Sequence, residues 1–84
     1  MNVEEFLKAA ENGDVTIVFE KINGGGIRKM HCTLDTALIE HKMSGSVASQ
    51  RPENDHIVVW ALDRDAWRSF RVSTAIEWYE GEPK

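Results

Sequence analysis

Residues 2–20 read NVEEFLKAAENGDVTIVFE, and within them the spacing of apolar side chains changes from helical to extended. Val3, Phe6, Leu7 and Ala10 share one stripe of a 3.6-residue helix. Asn2 followed by Glu5 is a helix-start pair, each side chain able to accept from a backbone N–H near the first turn. Asn12-Gly13 marks the stop, since glycine can take left-handed backbone past the last turn. From Asp14 the period is two, with Val15, Ile17 and Phe19 on one side and Thr16, Val18 and Glu20 on the other. The reading predicts a helix over about 2–12 followed by a β-strand. A helix of that length is marginal in water, so its stripe must dock on what the strands build.

The rest of the chain extends this pattern. Asn23-Gly24-Gly25-Gly26 predicts a hairpin turn, with Ile27 to Cys32 returning as the second strand. A run of glycines also occurs in phosphate-cradling loops, but the Lys-Ser/Thr pair and helix that complete such a loop do not follow it. Leu34 to His41 predicts one or two helical turns with Asp35 or Thr36 as cap, and the polar stretch KMSGSVASQRPEND at 42–55 a long, mobile loop. Strands return at His56 to Leu62 and Ala66 to Arg71, joined by a tight turn at Asp63-Arg64-Asp65. Val72-Ser73-Thr74 predicts a short 3₁₀ link, Ala75 to Tyr79 the last strand, and 80–84 a fraying tail. The expectation is one domain over 1–84, mainly β, with strands between 14 and 79. They would form a small five-stranded antiparallel barrel, closed so that no edge is exposed, with the N-terminal helix plugging one open end.

Composition narrows the function. At 84 residues there is room for one modest core. A net charge of −4 weighs against a generic nucleic-acid coat protein, which needs an excess of Lys and Arg. The single Cys32 rules out an internal disulfide and suits a reducing compartment. The start carries no secretory apolar segment, and no apolar run approaches the roughly 18 residues of a membrane span. The expected location is cytoplasmic, with no membrane association.

The segment from Val58 to Val72, VVWALDRDAWRSFRV, resembles the C-terminal part of WYL domains, in which an aromatic-aliphatic strand precedes an R-x-F-R strand. Upstream, Phe19-Glu20-Lys21 and the stretch from Ile27 to Leu34, ending in Cys32-Thr33-Leu34, are similar to short phage-encoded WYL-like barrels. The two matches span roughly 15 to 78. The resemblance implies an SH3-like, Sm-like barrel and a regulatory module that senses ligands or nucleic acid. It places Trp60 in the signature strand and makes Arg68 and Arg71 the family's paired arginines. The signature Trp-Tyr-Leu stands here as Trp60-Ala61-Leu62, and the family's later Asp-Arg is replaced by Ser73-Thr74-Ala75.

Alternation puts Trp67, Ser69 and Arg71 on one face of their strand and Arg68 and Phe70 on the other. Trp60, Trp67, Arg68 and Arg71 are candidates for stacking a base or clamping a phosphate; the competing reading has the aromatics in the core and the arginines paired with Asp63, Asp65 or Glu77. Tyr79, beside Trp78, is a candidate anchor for a protein partner, or else half exposed at the closing strand. His31, His41, His56 and Cys32 lack metal-ligand spacing, and the sequence holds no catalytic constellation. The expected function is a non-enzymatic interaction module without metal or cofactor, phage-encoded, that binds a host or phage protein and changes its activity. The alternative partner is single-stranded nucleic acid.

Overall fold

The computed structural model describes residues 2–21, 24–39 and 55–84. The loop expected at 42–55 lies, apart from Asp55, outside them. Helix α1 (Val3–Glu11) starts where the sequence places it, with the Asn2 side chain accepting from the Glu5 N–H at 3.1 Å. Its stop is built by Asn12 rather than by left-handed glycine. The Asn12 N–H donates to the Ala9 carbonyl and its side-chain amide to that of Lys8 at 2.7 Å.

Strands β1 (Asp14–Glu20) and β2 (Ile27–Thr33) pair along their whole length, from Asp14↔Thr33 to Glu20↔Ile27. The turn between them uses glycine where it must, with φ of 75° at Gly24 and 91° at Gly26, backbone that a Cβ disfavours. A short helix α2 (Thr36–Ile39) follows, its Ala37 N–H bound by the Asp35 carboxylate. Strands β3 (His56–Ala61) and β4 (Ala66–Arg71) form the second hairpin, a 3₁₀ turn spans Val72–Thr74, and β5 (Ala75–Glu80) returns to pair with β1. The result is one antiparallel sheet in the order β4-β3-β2-β1-β5.

Five strands and an N-terminal helix are as expected; closure by a ladder is not. β4 and β5 stand at opposite ends of the sheet, and no described strand pairs with the outer edge of either. The sheet turns a corner instead. β2 pairs fully with β1 but meets β3 only at Cys32↔Ala61 and Thr33↔Trp60, so the β3–β4 hairpin hangs from the end of β2. On the far side, the register shift opposite Val18 and Phe19 leaves Ile76 as the extra residue of a bulge, and bulges increase strand bending.

What holds the curled sheet together is Phe6. Fully buried, its ring meets Phe70 of β4 at 5.6 Å and Trp78 of β5 at 5.7 Å, both edge-to-face. Leu7 and Ala10 of α1, Val15, Ile17, Met30, Cys32, Leu34, Ile57, Val59 and Ala61 complete the core. The end of α1 is fixed by Thr33, whose hydroxyl lies 2.7 Å from the Gly13 carbonyl and 3.1 Å from that of Ala10. Burial pushes the Cys32 thiol up to about 12, the Asp63 carboxylate adding to the effect.

The strand expected to be half buried is buried on both faces through Val18. The segment after β5 accounts for part of this. Gly81, at φ 90°, turns the chain so that its N–H bonds Asp14 and its carbonyl accepts from the buried Thr16 hydroxyl at 2.9 Å. Lys84 donates its N–H to the Tyr79 hydroxyl and holds its ammonium 5.1 Å over that ring, while Lys29 donates to the Lys84 carbonyl. The expected fraying of 80–84 is replaced by this strap. Nearby, His31 Nε2 donates to Asp14 Oδ2 at 2.6 Å, and that bond holds the Asp14 carboxyl below its ordinary value of 3.8.

Truncation of Phe6 to Ala is expected to cost about 3–5 kcal/mol, read as a lowered denaturant midpoint. Cys32 should resist an aromatic disulfide reagent in the native state and react fully in denaturant; reaction at equal rates in both states would contradict its place in the core. Because Asp14 titrates lower when folded, its stabilisation is complete above pH 3.8 and lost as pH falls through the folded value. Asp14→Asn should therefore flatten the acid limb of a stability–pH profile without moving the neutral plateau by more than about 1 kcal/mol.

Candidate binding groove

β4 is the strand on which the sequence concentrates its aromatic and basic residues, and its register with β3 decides where they go. His56↔Arg71, Val58↔Ser69 and Trp60↔Trp67 lie on the outer face; Ile57↔Phe70 and Val59↔Arg68 lie toward the core. Trp60 is buried, and Trp67 meets it edge-to-face at 5.3 Å. Phe70 is core. Arg68 shares its face yet is exposed, so its head reaches past the core to water.

The sequence-derived candidates therefore separate. Trp60 and Trp67 pair at the turn end of the hairpin, and Arg71 stands at the other, four residues along or about 13 Å. Tyr79 belongs to β5, at the opposite end of the strand order, its hydroxyl engaged by the strap. Asp63, one of the partners considered for the arginines, is bound by Arg28 at 3.2 Å. Arg71 approaches Asp55 at a loose 3.8 Å, both side chains nearly half exposed.

Arg71 instead belongs to a groove between the end of β4 and the far end of the β1–β2 hairpin. An open cleft of ≈ 360 Å³ is lined by Phe19 and Phe70 beneath and by Lys21, Arg28 and Arg71 around them. A second hollow of ≈ 490 Å³ shares Glu20, Lys21, Arg71 and Thr74 with it and adds Ser73, so the two open into one another. Phe19 and Phe70 are stacked on each other at 5.7 Å with an interplanar angle of 23°. Arg28 stands opposite Phe19 across the ladder, on the core side of β2 with Met30 and Cys32, its side chain 18 % exposed. It is an inward-facing guanidinium at the mouth of the core, and the Asp63 carboxylate fixes its aim.

Three cationic side chains, Lys21, Arg28 and Arg71, line the groove beside Glu20, with Asp63 on Arg28 and Asp55 3.8 Å from Arg71. That arrangement attracts anions and, through the guanidinium forks, favours carboxylate or phosphate oxygens. Among the described residues no group of three or more His, Cys, Asp or Glu is placed to hold a metal ion. No helix among them is long and apolar enough to cross a membrane.

Sequence reasoning found Arg71 and missed Lys21, Arg28 and the Phe19 floor. For Arg28 a signal existed, because alternation with Met30 and Cys32 puts an arginine on the apolar face of β2. For Lys21 none did, since its place depends on how the sheet curls.

The groove is separable from the fold. Lys21→Ala and Arg71→Ala should each change unfolding free energy by no more than about 0.5 kcal/mol, whereas Phe70→Ala should cost about 3–5 kcal/mol. Chemical denaturation of the three variants checks this.

A protein-family model described as WYL_2, Sm-like SH3 beta-barrel fold, matches residues 3–75. No curated protein and no solved structure matches the chain.

Proposed function

The chain belongs to the WYL_2 family of Sm-like SH3 beta-barrel folds, and we propose that within it the protein acts as a non-enzymatic accessory module, phage-encoded and working in the host cytoplasm, that binds a host or phage protein and modulates its activity. The observation that carries this reading is the groove, a depression lined by Lys21, Arg28 and Arg71 and floored by two aromatic rings on a small domain of net charge −4. Its size is that of a recognition site, within the ≈ 300–1,000 Å³ usual for ligand clefts.

A protein partner is favoured over nucleic acid by the state of the aromatic rings. Single-strand recognition without sequence preference needs exposed ring faces on which bases stack. Here Phe19 and Phe70 stack on each other, Trp60 is buried with Trp67 against it, and the half-buried Trp78 is set edge-to-face on Phe6. One observation favours the second reading. Lys21, Arg28 and Arg71 gather at one site, and a polyanion follows such a strip whatever its bases.

The two readings separate in one experiment. Immobilised protein is exposed to host lysate with and without nuclease, and a labelled single-stranded oligonucleotide is titrated in parallel at rising salt. The protein reading expects capture that survives nuclease and falls with Arg71→Glu. Capture abolished by nuclease, together with oligonucleotide affinity that drops steeply with salt, overturns it in favour of the nucleic-acid regulator.

A further inference from the structure

We infer that the partner enters as an extended acidic segment that adds a strand to the free edge of β4 and fills the groove; the inference rests on the protein-binding role proposed above.

The edge comes first. β4 ends the sheet, no described strand lies beyond it, and an edge strand offers a row of backbone donors and acceptors for pairing. The groove runs beside the last residues of that edge, Ser69, Phe70 and Arg71, and its opposite wall is Phe19 to Lys21 with Arg28. It lies in the opening left because β3 and β4 hang from the end of β2 instead of closing against the other hairpin. Its two hollows overlap and are open to solvent, which leaves room for a chain passing along the edge.

Charge and alternation then define the occupant. An added strand directs successive side chains to opposite faces. Residues facing inward meet the Phe19–Phe70 floor, with the exposed head of Arg68 on that same side; their neighbours meet Lys21 and Arg71 at the rim. A segment alternating apolar residues with Asp or Glu satisfies both. The other edge rejects it. β5 exposes Glu77 and Glu80, so an acidic strand is repelled there, and the two edges discriminate by sign.

The test uses the full chain. A random dodecapeptide library is panned against it at low salt, and the best binder is synthesised and followed by fluorescence anisotropy and by amide exchange. The expected pool is rich in Asp and Glu alternating with apolar residues. Lys21→Glu/Arg71→Glu should weaken the chosen peptide at least about tenfold, about 1.4 kcal/mol, with Lys21→Gln/Arg71→Gln in between and thermal midpoints kept. Binding should slow exchange at the Ser69 to Arg71 amides and not along β5. A neutral or basic pool, charge-reversed variants that bind equally well, or unprotected β4 amides each overturn the inference. So does a dimer whose β4 amides are protected before any peptide is added, which would make a second copy the occupant. If nuclease-resistant capture of a protein persists while these results fail, the inference falls and the protein-binding role stands. If capture itself fails, the role falls first.

Discussion

The contact on which the rest of the structure depends is the meeting of Phe6 with Phe70 and Trp78. These two rings come from the two terminal strands of the sheet, which share no described ladder. Strand pairing alone would let such a sheet open. A single helical side chain, carried by one turn of α1 into the space between the ends, turns an open sheet into an enclosed core. The short helix in turn gains the apolar burial that it lacks alone in water. Neither element is independent of the other.

The same curvature produces the site. Had β3 paired with β2 along its length, Arg28 would have been one more residue on the flank of a continuous sheet. Because the ladder is confined to the end of β2, the first half of β2 is left at the mouth of the fold. There its inward guanidinium stands beside the aromatic floor and across from Arg71. Packing at the centre and recognition at the rim are thus two results of one bend. They use different atoms, which is why the charges of the rim can change without disturbing the rings of the floor.

Much of the architecture was readable from periodicity. The change from a 3.6-residue to a two-residue repeat at Gly13 located α1 and β1, and the Asp63-Arg64-Asp65 turn and the Val72–Thr74 link fall where their residues suggested. Three features were not readable, each for a physical reason. Whether a sheet closes depends on ladder lengths and a bulge at Ile76, which local propensity does not encode. The strap of 81–84 is held by contacts to Asp14, Thr16, Lys29 and Tyr79 that are mostly remote in sequence. Arg71 was legible as a candidate because it stands in a basic-aromatic strand, but its neighbours in the groove come from a different hairpin. Side-chain alternation says which face a residue takes; it does not say which distant residue shares that face.

Asp55 closes the open end of the second hairpin. Its carbonyl accepts from the Val72 N–H at 2.6 Å, and its carboxylate takes both the N–H and the hydroxyl of Ser73. The base of β3–β4 is therefore fastened just before β3 begins, which holds the His56↔Arg71 end of the ladder in register. In mechanical terms this is a latch. The hairpin is tied at both ends, by the Asp63-Arg64-Asp65 turn and by Asp55, so the strand bearing Arg68 and Arg71 cannot slide past β3 without first breaking the Asp55 bonds.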